Sequence, residues 1–285
     1  MSEVSLQDAV QRVRELPTLP SILAKILATA ADPDASALDL AEPISTDQSL
    51  TATLLRLVNS AYYGFYRKIT SVTQAIVVLG FIEVRNIALA ATTFRTLATG
   101  SKDYDRVQLW RHALATALTA QKIGKLQQLR RDGVFEAGLL HDIGKVVLDI
   151  LYPQQFLAAA HKAHAERLWI QEAEMAVLGF DHAMVGGALA EHWNFPVDVA
   201  DAIRFHHAPR QARHNETLAH VTAVANYIAY EGGFGESTNG KPLMLPEESI
   251  NALSLTQNVC ESFAADLVKD REKIEEFLGV IRVSV

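Results

Sequence analysis

A His-Asp pair set inside an apolar run is where this chain concentrates its chemistry: Leu140-His141-Asp142-Ile143-Gly144-Lys145, led in by Glu136-Ala137-Gly138-Leu139 and followed by Val146, Val147, Leu148 and Ile150. Imidazole and carboxylate are costly to bury unpaired and both ligate metals, so the pattern points to a metal site or to the remains of one. Partners must come from elsewhere in the chain. The candidates are His112, His182 after Phe180-Asp181, the doublet His206-His207, and Asn226 in Val221-Thr222-Ala223-Val224-Ala225-Asn226. Mixed nitrogen and oxygen donors suit iron or manganese first and zinc or nickel next, whereas a magnesium site would be richer in oxygen. An ion held there could acidify water and clamp a phosphoryl oxygen, with Lys145 stabilising the developing charge. Lys145 is i+4 from His141 and i+3 from Asp142, on the same face if the helix is continuous.

Each of these residues also has a plainer reading. His112, among Leu109, Ala113 and Ala117, could be a core histidine bonded to a carbonyl, and Lys145 a solvated helix lysine. His182 could be a first-turn surface residue. His206 and His207 point about 100° apart on a helix, so both bind only with two metals or a loop geometry. His161, His164, His192, His214 and His220 fall outside the pattern and read as surface or packing residues.

The ordered set of a His, a His-Asp pair, further His residues and a late polar residue resembles the HD superfamily of metal-dependent phosphohydrolases. Upstream, Leu16-Pro17-Thr18-Leu19-Pro20, Asp47-Gln48-Ser49-Leu50, Leu57-Val58-Asn59-Ser60-Ala61-Tyr62-Tyr63-Gly64, Ile69-Thr70-Ser71-Val72-Thr73-Gln74-Ala75-Ile76 and Leu79-Gly80 together resemble the HDOD family, the HD-related output domains of bacterial signalling proteins. The likeness runs from about Leu16 to His207. It implies an all-helical signalling module whose ligand set is often eroded, and it favours His182 as a ligand. Two departures bear on activity. Asn226 stands where the HD enzymes close their metal set with Asp, and an amide oxygen is a weaker, uncharged donor. The segment after the His pair, Ala208-Pro209-Arg210-Gln211-Ala212-Arg213, lacks the Gly-Tyr-Pro signature of the related cyclic di-GMP phosphodiesterases, which disfavours that reaction.

The elements that must position these residues read as helices throughout. Leu19, Ile22, Leu23, Ile26 and Leu27 recur at helical spacing before Asp32-Pro33; Leu50, Leu54, Leu57 and Val58 follow the capping residue Asp47; Ser71 opens a third helix; and longer patterns run from about Ile82 to Leu97 and from Tyr104 to Leu129, the latter carrying His112. No stretch alternates with period two, so the fold class expected is all-α: an HD-like helical bundle with an additional N-terminal helical subdomain. The polar stretch Thr99-Gly100-Ser101-Lys102-Asp103 suggests the border, giving residues 1–98 and 99–285 as the two parts. The Gly-rich run from Glu231 to Gly240 reads as a mobile loop, and Ile250 to Ile281 as one or two amphipathic helices. Tyr62, Tyr63, Phe65 and Tyr66 are dense enough to be core joining the two halves, or else an exposed anchor; core is the expectation.

With 285 residues, 49% of them hydrophobic, the chain can bury a sizeable core. A formal charge of −7 argues against binding a nucleic-acid backbone, and Arg130-Arg131 is read as a solvated helix end. One cysteine, Cys260, excludes an intrachain disulfide and suits a reducing cytoplasm. Met1-Ser2-Glu3-Val4 opens no secretory leader, and the apolar stretch from Ala75 to Ile82 falls short of the ~18 residues of a membrane span. The first functional reading is a cytoplasmic bacterial regulatory module working through signalling proteins, with a retained or vestigial metal site and no cyclic di-GMP phosphodiesterase activity. The second is an active metal-dependent phosphohydrolase with a nucleotide or cyclic dinucleotide as ligand. A third makes the cluster a hydrogen-bonded core network without metal.

Overall fold

The computed structural model describes residues 5–16, 20–32, 34–97, 104–129, 133–235 and 238–282. The proposed border at 99–103, Pro33, Arg130-Arg131, Glu236-Ser237 and the middle of the Leu-Pro-Thr-Leu-Pro opening lie outside the described residues. Within them there are α-helices and no strand. In chain order these are α1 (Leu6–Val13), α2 (Ser21–Ala31), α3 (Ala37–Thr46), α4 (Gln48–Val58), α5 (Val72–Leu79), α6 (Phe81–Thr96), α7 (Arg106–Leu126), α8 (Val134–Leu140), α9 (Ile143–Leu151), α10 (Pro153–Glu166), α11 (Ile170–Leu178), α12 (His182–His192), α13 (Val197–Phe205), α14 (Glu216–Ala229), α15 (Glu247–Ala252), α16 (Gln257–Lys269) and α17 (Arg271–Arg282). The all-α expectation holds, and the region from Ile250 onward carries the end of α15 and then the two helices α16 and α17.

The chain divides into two compact units: residues 1–18 with 99–269, and 19–98 with 270–285. The division drawn from sequence assigns the two terminal segments otherwise. In the structure α1 packs on α12 and α9, and α17 packs on α4.

In the unit of residues 19–98 and 270–285, α6 packs against α2, α4 and α5, and its residues from Val84 to Phe94 are buried. Asp47 caps α4 by accepting from Leu50 N at 2.9 Å and also holds Arg95 at 2.8 Å. Ser71 Oγ accepts from Gln74 N at 3.1 Å to start α5. Asn59 closes the intervening aromatic loop: its amide nitrogen donates to Ile69 O at 2.8 Å and its oxygen accepts from Ile69 N at 2.8 Å. The aromatic residues split. Tyr62 packs edge-on against Phe277 of α17, Tyr63 donates its hydroxyl to Glu83 of α6 at 2.7 Å, and Tyr66 is fully exposed. The partners of Tyr62 and Tyr63 lie in the unit that contains them.

In the other unit the long α7 packs against α8 and α14, α9 against α12, and α12 against α13. The single helix expected across the His-Asp pair is broken. α8 ends at Leu140, His141 and Asp142 form a turn, and α9 begins at Ile143, with Asp142 at φ −98° and ψ 9°. Gly144, in the first turn of α9, lies directly beneath the start of α12, and a Cβ there would collide with His182 O and come within 2.8 Å of Gly186 N. Only glycine lets the two helices approach this closely. The Gly-rich run after α14 is not a free loop either: 230–234 form a π turn, and Phe234 is buried.

Candidate metal centre

Five imidazoles converge on one carboxylate. His112 comes from the middle of α7, His141 and Asp142 from the break between α8 and α9, His182 is the first residue of α12, and His206 and His207 follow the last turn of α13. His112 Nε2 lies 3.2 Å from His141 Nε2, and His207 Nε2 lies 3.0 Å from His182 Nε2. Asp142 stands between the groups. Its Oδ2 is 3.4 Å from His141 Nε2 and 3.8 Å from His112 Nε2, while its Oδ1 is 3.1 Å from His182 Nε2 and 3.8 Å from His206 Nε2. Two ligand triads result, His112 with His141 and Asp142, and His182 with His206 and His207. The adjacent histidines both reach the site because they sit in a turn rather than on one helix face. Asn226 of α14 lines the adjoining cleft together with His112, Asp142, Lys145 and His207.

The outer ring nitrogens are fixed, and this decides what the inner ones present. His112 Nδ1 lies 2.9 Å from Phe234 O, His141 Nδ1 2.8 Å from Gly138 O, and His206 Nδ1 2.7 Å from Ile203 O. A carbonyl only accepts, so each of these Nδ1 atoms carries the hydrogen, and a neutral ring then turns a bare Nε2 lone pair inward. His182 Nδ1 is likewise 2.6 Å from Glu174 Oε2. Lone pairs therefore face lone pairs and both oxygens of a carboxylate in a buried site, and His206 Nε2 has no hydrogen-bond partner among the described residues. Such a set is stable only around positive charge. The donors fit a metal ion: two nitrogens ~2.0–2.1 Å from one ion at roughly 95–105° are separated by about the spacing found here.

Positive charge is already drawn in by the protein. Lys145 is buried rather than solvated, and its ammonium donates to Asp142 Oδ2 at 2.8 Å. Burial opposes ionisation of Asp142, but His141 and Lys145 beside it hold its carboxyl well below the usual carboxylate range. Burial also opposes protonation of His182, yet Glu174, with Asp142, raises it to about 10. His206 and His207 are pushed well below the usual histidine value, first by burial and next by the neighbouring rings. They are neutral and able to ligate.

Several site residues were not singled out from the sequence. Glu174 is fully buried in α11 and accepts from both His182 Nδ1 and His182 N. An acidic residue facing inward in the run Ala173-Glu174-Met175-Ala176-Val177-Leu178 was the available signal. The Phe234 carbonyl comes from the run read as a loop and carries no signal. Asp201 of α13 pins the segment after the doublet by accepting from Arg213 N at 2.6 Å and His214 N at 2.8 Å.

Residues 16–209 match the HDOD domain. An uncharacterised protein of Treponema pallidum (strain Nichols) is 32% identical over 219 residues, which are 75% of this chain and 42% of that one. A ribonuclease Y of Mycoplasmoides gallisepticum is 23% identical over 120 residues, 41% of this chain and 18% of that one. The chain thus spans less than half the length of these relatives. Among solved structures, an HDOD domain protein of unknown function from Geobacter sulfurreducens superposes with a TM-score of 0.80 at 24% identity, over 99% of both chains. A protein of Marinobacter aquaeolei VT8, provisionally named for signal transduction, superposes at 0.82 with 22% identity, over 97% of this chain and 65% of that one. One of Shewanella amazonensis SB2B, provisionally named a phosphohydrolase, gives 0.76 at 23% identity, over 96% and 97%. These likenesses establish the shared all-helical fold.

Proposed function

We propose that this chain, which belongs to the HDOD family, is a metal-binding regulatory module that acts through signalling proteins in the cytoplasm and does not turn over cyclic di-GMP. The observation that carries the metal is the convergence of inward-facing Nε2 atoms on both oxygens of Asp142. His112, His141 and Asp142 would hold one ion, and His182, His206 and His207, with the second Asp142 oxygen, another. Asn226 adds at most a neutral oxygen donor from the cleft wall. A divalent ion bound there would supply charge against an anionic ligand and the means to acidify water. Iron or manganese is the first expectation and zinc or nickel the next.

The regulatory role is supported by family membership and by the provisional name of the Marinobacter protein. Consistent with it, no helix among the described residues is long and apolar enough to cross a membrane. Against cyclic di-GMP turnover stand Asn226 and the segment after the His doublet, which has no Gly-Tyr-Pro. A second reading, phosphohydrolysis, is favoured by one feature: Lys145 is buried in the centre, where its ammonium could meet an anion bound beside Asp142.

Elemental analysis of protein purified without chelator tests the metal, which His141→Ala should remove. Metal content unchanged in that variant would show that the centre is elsewhere. Incubation with cyclic di-GMP and manganese or iron tests the activity. Robust turnover abolished by Lys145→Met would replace the regulatory reading with the hydrolytic one.

A further inference from the structure

The chain between the π turn and α15 borders the same cleft, to which it contributes Asn239 and Leu243; Tyr230 and Ile170 complete that wall. Residues 239–242 carry no regular secondary structure, yet each is tied to the corner between α10 and α11. Ile170 N donates to Asn239 Oδ1 at 3.0 Å, and Gly240 N donates to Leu168 O at 3.0 Å. Trp169 Nε1 donates to Pro242 O at 3.1 Å. The Lys241 ammonium sits 3.7 Å over the Trp169 ring and 3.0 Å from Glu172 Oε2. Gly240 is seated so closely on the end of α10 that a Cβ would collide with Ala163 O. Bonds at consecutive positions fix a segment that would otherwise be a mobile connection.

The room left inside is about 10 Å³, which is space for one water-sized group. Neither inorganic phosphate nor a nucleotide fits beside Asp142 and Lys145 while residues 239–243 hold their place. We infer that residues 239–243 are the specificity-determining wall of this centre: pinned on Trp169, they restrict it to a water-sized ligand and exclude inorganic phosphate and nucleotides alike. The ligand side of this inference rests on the metal reading above, whereas the wall itself does not.

The test compares wild type with Trp169→Ala, which removes the donor to Pro242 and the ring under Lys241. Lys241→Ala removes only the ring contact and the Glu172 pair, leaves the corner itself intact, and serves if Trp169→Ala misfolds. On metal-free protein, diethyl pyrocarbonate modification is followed at His207 by peptide mass spectrometry, with exposed His161 as the reference. The expected result is about tenfold faster modification of His207 in Trp169→Ala, the shift given by losing one hydrogen bond and one exposed cation–π contact, and a smaller acceleration in Lys241→Ala. On manganese-loaded protein, calorimetry with inorganic phosphate and with cyclic di-GMP should show neither binding to wild type, and binding gained in the variant. Equal His207 rates in all three proteins, or phosphate or dinucleotide binding to wild type as tight as to Trp169→Ala, would overturn the inference. Failure of manganese, iron, zinc and nickel alike to load in any of them overturns the metal reading instead, and the His207 rates still decide the wall.

Discussion

Glu174 Oε2 accepts two hydrogen bonds from a single residue, His182, one from the ring Nδ1 at 2.6 Å and one from the backbone N at 2.9 Å. The same oxygen thereby sets the ring's rotation, its tautomer and the first amide of α12. A carboxylate behind a ligating imidazole makes the inner nitrogen a stronger donor, and losing such a partner typically costs ~10–100-fold in metal affinity. Glu174→Gln should therefore weaken binding by that range and leave the helix start in place. Competition against a chelator of known affinity measures it, and an affinity equal to wild type would reduce Glu174 to a packing residue.

The metal-free protein should be most stable near pH 6.5. His182 has a folded pKa raised from the ordinary 6.5 to about 10, so its contribution is complete below 6.5 and is lost as pH rises through about 10. His206 and His207 are shifted the other way, so below 6.5 the unfolded chain takes up protons that the folded one refuses, and stability falls again. Denaturant midpoints of chelator-treated protein between pH 5 and 10 would trace both limbs. Glu174→Gln should flatten the alkaline limb alone; a profile level from pH 6.5 to 9 contradicts the assignment of charge to His182.

What was legible in the sequence follows from where the information is local. His141-Asp142, the other histidines and the caps at Asp47 and Ser71 announce themselves by residue type and spacing, and the structure gathers every one of the histidines so chosen. The break between α8 and α9 was not legible, because the apolar run continues on both sides of the His-Asp pair with no proline to stop a helix. Nor were the tie from Phe234 O to His112 or the pinning of residues 239–242, which use backbone groups that any residue carries. The placement of α17 against α4 depends on a contact spanning most of the chain.

Gly144 is the position at which the close approach of α9 and α12 can be tested. Gly144→Ala places a methyl group against the His182 carbonyl, and neither backbone can yield without moving a metal-ligand candidate. Overpacking typically costs ~1–3 kcal/mol, and the upper end is expected where backbone meets backbone. The denaturant midpoint should drop accordingly and metal content should fall with it.

Tyr63 tests the aromatic loop through its attachments to Tyr62 and Glu83. Its ring stands edge-on to Tyr62 with centroids 4.6 Å apart, and its hydroxyl donates to Glu83 at 2.7 Å. Burial, and then the Glu83 charge, push the phenol pKa upward, so the hydroxyl remains a donor across the working pH range. Tyr63→Phe removes only that hydrogen bond, and Glu83 is half-buried and can turn to water, so a loss of about 1 kcal/mol is expected. Tyr63→Ala also removes the ring and should cost about 2–4 kcal/mol, since Tyr62 loses a neighbour. Exposed Tyr66 sets the baseline, because Tyr66→Ala should leave the melting midpoint unchanged. If Tyr63→Ala melts like Tyr66→Ala, the ring of Tyr63 contributes nothing to the fold and the loop is held by its other ties, at Asn59, Ala61 and Tyr62.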